Sequence, residues 1–194
     1  MRNLLLVTWL ALPIGAWAYH EGPGQDRMAL DEAAKVVAEA HQAATDKDWA
    51  DAVRGYEDAL AKLPKDQEST AQRLRLELNK ARMQAKGLSM AREELESLVE
   101  ELATDQKADP KLLAESRQAL ARAQFFTTWL MRLEGVSREE WEPEIEAARQ
   151  NWRLLAEQAT TPEQKEQRGK DLEAAIRLAR SEIEDLQGLP LPSE

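Results

Sequence analysis

Four side chains carry the chemistry that this sequence offers most directly. Gln72, Arg75, Asn79 and Arg82 recur at steps of three, four and three residues, so a helix through them sets all four on one face. A guanidinium and an amide one turn apart point N–H donors in the same direction, an arrangement that grips a carboxylate by charge-assisted hydrogen bonds. The alternative use of these cations is pairing within the chain. From Ala71 to Gly87 there are five basic residues and one acid, and from Leu88 to Asp105 one basic residue and six acids. Adjacent helices of opposite charge can match each other across their interface.

Catalytic groups are harder to assemble. The chain has two histidines, His20 and His41, and no cysteine, and neither ring accompanies a serine in a nucleophile arrangement. The absence of cysteine also removes disulfides and thiolate metal sites. The acidic run Glu139-Glu140-Trp141-Glu142-Pro143-Glu144 contains glutamates of the type that serve as general acids in glycan cleavage. No aromatic-rich groove flanks them, and acids are equally expected at a helix start, where the dipole favours them. No phosphate-binding glycine loop or calcium loop is present. The expectation is a protein that is not an enzyme and uses no cofactor or metal.

The elements that must position these residues are helices. Ala, Leu, Glu, Arg, Gln and Lys dominate while β-branched and aromatic residues are scarce, so an all-α fold with essentially no sheet is expected. Helical patterning begins near Met28 and pauses at Thr45-Asp46-Lys47-Asp48. A second helix carries Trp49, Ala52, Val53, Tyr56, Ala59, Leu60 and Leu63 on one face and stops at Pro64. A third, Gln67 to Lys86, places Leu74, Leu78, Ala81 and Ala85 inward, with Gly87 expected at positive φ as its terminator. A fourth, Leu88 to Thr104, turns Ala91, Leu95, Leu98 and Leu102 to the core.

Asp109-Pro110 opens a long helix to about Glu134, with Leu112, Leu113, Leu120, Ala123, Phe126, Leu130 and Leu133 inward and Gly135 as its terminator. Ser137 and Glu140 form a candidate capping box, with one short turn before a helix from Glu142 to Gln158. A last helix opens at Pro162 and carries Leu172, Ala175, Ile176, Ala179, Ile183 and Leu186. Trp129, Trp141 and Trp152, with Phe125 and Phe126, are expected to fill the core of this half.

One stretch is specific enough to suggest a family. Ala52, Tyr56, Ala59 and Pro64 follow a small-x3-aromatic-x2-Ala-x4-Pro skeleton, with Trp49 at the preceding turn. Residues Ala33 to Asp66 resemble a tetratricopeptide repeat (TPR) on this basis, although Glu39 and Ala43 stand where large apolar and aromatic residues are usual. A second unit, Ala71 to Ala103, keeps Ala91, Leu95 and Leu98 in the same rhythm without the aromatic or the closing proline. The resemblance covers about a third to two fifths of the chain and ends at Asp109.

It implies antiparallel helical hairpins stacked as a short right-handed solenoid with a helical carboxy-terminal cap. It also implies that Gln72, Arg75, Asn79 and Arg82, with His41 in the preceding unit, line a concave side that holds a peptide. Arg75 and Asn79 are similar to half of that family's carboxylate clamp. The expected organisation is 28–105 for two hairpins, 109–187 for a cap of three helices and 188–194 for a proline-containing tail.

The first 18 residues read as a secretory signal. Arg2 supplies charge, LLLVTWLALPIG an apolar stretch, and Ala16-Trp17-Ala18 the small residues of a cleavage site. The apolar run falls short of the ~20 residues that span a bilayer. Cleavage after Ala18 would leave 19–27 as a flexible linker. The formal charge of −10 becomes −11 without Arg2, which disfavours nucleic acid and anionic lipid as partners. These readings converge on an exported, noncatalytic scaffold or adaptor in the bacterial cell envelope, periplasmic or secreted, whose partner is a protein with an acidic or carboxylate-bearing segment. The alternative is a peptidoglycan-acting envelope enzyme or its accessory subunit.

Overall fold

The computed structural model describes residues 23–188 and 191–193. The signal segment and His20 lie outside the described residues. Among the described residues the chain is all-α, with no strand and seven α-helices packed in consecutive pairs. They are α1 (Pro23–Thr45), α2 (Trp49–Lys62), α3 (Glu68–Gln84), α4 (Leu88–Thr104), α5 (Pro110–Leu133), α6 (Arg138–Glu157) and α7 (Pro162–Arg180), followed by a 3-10 helix at Ile183–Gly188. The chain divides into two compact units between Ala71 and Gln72, inside α3.

In the first unit α1 starts at Pro23, so residues 23–27 of the expected linker are already helical. A proline is tolerated there because an N–H in the first turn has no helical partner to lose. The α1–α2 hairpin is held by small side chains. Ala33 and Ala40 of α1 and Ala52, Tyr56 and Ala59 of α2 are buried. A Cβ built on Gly55 would lie 2.7 Å from Ala40 Cβ, so only glycine lets the two helices approach this closely.

The hairpin turns share one geometry. Lys47, between α1 and α2, and Lys86, between α3 and α4, sit 39 positions apart, both in the left-handed region, with φ of 62° and 65°. In each turn the next residue's N–H reaches back to a helix carbonyl: Asp48 N–H to Ala43 O and Gly87 N–H to Arg82 O, both at 2.8 Å. These bonds satisfy carbonyls that the helix end would leave without partners. Gly135, at φ 75°, plays the same part after α5, where Val136 N–H donates to Met131 O at 2.9 Å. The expectation that Gly87 takes positive φ is corrected. Its value is −98° and it caps α4, while a Cβ there would stand 3.2 Å from Arg82 O. Glycine is needed for close approach to α3, and the preceding lysine bears the strained φ.

In the second unit Leu76, Leu95, Leu98, Leu102, Leu112 and Leu120 form one core cluster, each such side chain contributing about 1.5–3 kcal/mol on burial. The inward set expected for α4 is buried as a whole. On α5 the stripe divides. Leu112, Leu120 and Ala123 join the first cluster, but Leu130 and Leu133 are exposed, and Ala121, Phe125, Thr128 and Arg132 turn inward instead. The helix therefore serves two cores, the second built around Phe125, Trp141, Ile145, Trp152, Leu155 and Leu178. Trp141 and Trp152 are buried in it as expected, and Trp129 packs partly buried against it.

Two boundary readings change. α6 is one continuous helix from Arg138 through Pro143, where a single backbone hydrogen bond is forgone. The capping box belongs to α7, where Thr161 Oγ1 accepts from Gln164 N–H at 3.2 Å. Ser137 flanks α6 without a side-chain cap, its hydroxyl donating to Glu140 at 3.1 Å.

Candidate functional site

The face read from Gln72, Arg75, Asn79 and Arg82 is built into the fold of the second unit. Leu74, Leu78 and Ala81 are buried as expected, but so are Gln72 and Asn79, so the amides do not line an open surface. Arg75 does grip a carboxylate. Its Nη1 lies 2.6 Å from Glu101 Oε2 of α4, and Gln72 Nε2 donates to Glu101 Oε1 at 2.6 Å. A second α4 acid, Glu94, stands 3.9 Å from Arg75. Asn79 donates to the Arg75 carbonyl at 2.9 Å and accepts from Arg82 Nη1 at 3.2 Å. In the first unit His41 is exposed, with Nδ1 at 3.5 Å from the Tyr56 hydroxyl. The carboxylate that Arg75 and Gln72 hold is thus internal to the chain.

This network has a pH signature. Burial pushes the Glu101 carboxyl up, but the hydrogen bonds from Gln72 and Arg75, together with the Arg75 charge, outweigh it and hold the group below its ordinary value. A carboxyl depressed in the folded state adds stability above its unfolded pKa, about 4.3, and that contribution is lost as pH falls through the folded value. Urea midpoints of the wild type and Glu101→Gln are therefore expected to differ at neutral pH and to converge in acid. A gap that persists undiminished below pH 3 would contradict the assignment.

In the acidic run at the start of α6, Glu142 and Glu144 are engaged by arginines. Glu142 is held below its ordinary value by a hydrogen bond from Arg138 at 2.6 Å, the reverse of what a general acid needs. Glu144 receives Arg92 of α4 in a two-pronged bond, Nε to Oε1 at 2.7 Å and Nη2 to Oε2 at 3.0 Å. Trp141, within the run, lies under the Arg132 guanidinium at 4.8 Å. The Arg92–Glu144 and Arg132–Trp141 contacts tie α6 to α4 and α5, and Arg138–Glu142 lies within α6.

A different surface of the second unit stays open. Glu115, Gln118, Ala119 and Arg122 of α5, at helical spacing, line a cleft of about 110 Å³ with Lys80 of α3. Arg73, two turns before Lys80, bridges to α5 through Asp109 at 3.3 Å and Glu115 at 3.4 Å. Glu115 is thereby matched by Arg73, with Lys111 3.9 Å away, and Lys80 donates to Glu77 at 2.9 Å; by formal count the lining carries two cations and one acid. The volume is well under the ~300–1,000 Å³ of small-molecule sites and suits a side-chain head group. Sequence reading missed this pair because Lys80 and Arg122 are 42 positions apart on separate helices.

Among the described residues no group of three or more histidines or acids could hold a metal ion, and no helix is long and apolar enough to cross a membrane. No protein-family model, no curated protein and no solved structure matches this chain.

Proposed function

We propose that this chain is an exported, noncatalytic scaffold of the bacterial cell envelope, in which TPR-like helical hairpins stack as a short solenoid and hold an acidic segment of another protein. The observation that carries the reading is the succession of helical hairpins α1–α2 and α3–α4, whose turns at Lys47 and Lys86 both use a left-handed residue and a backward hydrogen bond. Internal repetition of a helical hairpin is the mark of an array that works by presenting surface. The TPR-like pattern of Ala52, Tyr56, Ala59 and Pro64 and the leader-like first 18 residues supply the family character and the location.

Within this reading the partner contact moves from the Arg75 face, occupied by Glu101, to the cleft bearing Lys80, Gln118 and Arg122. A glutamate-rich peptide serves as the probe. The double charge reversal Lys80→Glu/Arg122→Glu is expected to weaken its binding about tenfold or more, with helicity unchanged, and to abolish capture of the same partner from envelope extracts. Arg75→Glu is expected to lower stability and leave the peptide affinity within about twofold. The reverse ranking of the two variants would return the site to the Arg75 face, and indifference to both would discard the scaffold's acidic-segment specificity.

A further inference from the structure

The most completely buried carboxylate among the described residues holds no helix together. Asp171 of α7 is 1% exposed, yet its closest partners come from the far end of the chain. Oδ1 accepts the Ser193 N–H at 2.8 Å and Oδ2 the Ser193 hydroxyl at 2.8 Å. On its own helix Gln167 Nε2 donates to Oδ1 at 3.3 Å, and Arg168 stands 3.8 Å away. The held segment is short and has no regular secondary structure: Leu191 is 64% exposed, Pro192 is buried and Ser193 half-buried.

Three features make this a recognition site rather than incidental packing. A carboxylate that takes both the main-chain N–H and the side-chain hydroxyl of one residue reads serine or threonine, since no other side chain offers a hydroxyl at that reach. Proline ahead of it favours the extended backbone that presents both donors on one side. A carboxylate this buried also demands an occupant, because stripped of those donors it would lose charge-assisted bonds that water cannot replace without opening the site.

We propose that Asp171, with Gln167, forms a docking site for an extended Pro-Ser segment, that residues 191–193 are its resident occupant, and that a segment of the same chemistry supplied in trans can take their place. The attachment is local, with Ser193 supplying both strong bonds, Pro192 buried and Leu191 in solvent, so it can open without global unfolding. Occupancy in cis acts as a tethered competitor. An external segment binds only as far as it overcomes the effective concentration of the tail. The proposal is independent of the cleft between α3 and α5.

The test uses the full chain and a fluorescein-labelled peptide with the sequence of residues 188–194. Ser193→Pro removes both donors at the tail and leaves α7 intact. It is expected to lower the amide heteronuclear NOE of Leu191, the one residue of the segment that keeps an N–H, and to bind the peptide saturably, at least about tenfold more tightly than the wild type does. Adding Asp171→Asn to Ser193→Pro, or changing the serine of the peptide to alanine, is expected to remove most of that binding. Equal peptide affinity for wild type and Ser193→Pro overturns the competition. An unchanged heteronuclear NOE at Leu191 in Ser193→Pro overturns the latch, and a released tail with no saturable peptide binding overturns exchange in trans. The alanine peptide keeps the serine specificity testable if the Asp171 variant fails to fold.

Discussion

Trp152→Ala is expected to lower the unfolding free energy of the second unit by roughly 3 to 5 kcal/mol, the range for truncating a buried tryptophan. The side chain is fully buried at the centre of the second core cluster, edge-on to Phe125 with ring centroids 6.0 Å apart. Phe125 in turn meets Phe126 edge-on at 5.6 Å, so the cavity would open inside an aromatic cluster that cannot collapse without moving α5. A midpoint of thermal unfolding about 10 °C or more below wild type is the corresponding shift. Trp152→Phe provides the contrast. The indole Nε1 is buried without a hydrogen-bond acceptor among the described residues, so phenylalanine gives up area and no hydrogen bond. Its loss should be less than half that of alanine. Equal losses for the two variants in calorimetry would mean that the site tolerates no volume change at all, against the packing described here.

The second large effect is expected at Arg132. Its guanidinium is buried within the second core and donates to two carbonyls at the end of α7, Leu178 O through Nη1 and Ser181 O through Nη2, the latter at 2.6 Å. Burial pulls its pKa down from the usual value, while the Glu182 charge acts in the opposite sense. A cation here complements the negative end of the helix dipole as well as filling acceptors that the last turn leaves open. Arg132→Met keeps most of the volume and removes every donor, so the two carbonyls lose a charged partner. A loss of roughly 2 to 4 kcal/mol is expected. Arg132→Lys, one donor group without the fork, should fall between methionine and wild type. The check is urea unfolding combined with amide exchange over Arg180 to Leu186, where protection should fall first. Wild-type stability in Arg132→Met would show that solvent satisfies those carbonyls.

The two effects differ in how far the sequence foretold them, and the residues show why. Trp152 was legible as core because its neighbours at helical spacing are apolar. Arg132 was not, since a cation in a helix reads as solvent-facing, and its role exists only because α7 ends beside it. The same holds for Thr128 and Asp171, polar residues on stripes that the leucine pattern had assigned elsewhere. On α5 the expected stripe ran straight through Leu130 and Leu133, whereas the helix rotates its allegiance from one core to another at Ala121 and Phe125. A periodic pattern reports one face, and a helix shared between two neighbours needs two.

The candidate site divides in the same way. Spacing offered Arg75 either to the carboxylate of a partner peptide or to charge matching between α3 and α4, and left both open. It could not say that Glu101 would be the carboxylate, nor that Gln72 and Asn79 would be buried with it. The cleft of Lys80 and Arg122 had no local signature, because contacts between α3 and α5 depend on how three helices pack.

Composition and short-range periodicity determined that this protein is helical, where most of its helices begin and end, and which alanines and leucines lie inside, because those properties depend on residues within a turn or two of each other. Which charges meet, that Lys86 and not Gly87 takes the left-handed backbone, and which carboxylate holds the tail were decided only by tertiary packing. These outcomes depend on partners tens of residues away, whose distance along the chain says nothing of their distance in space.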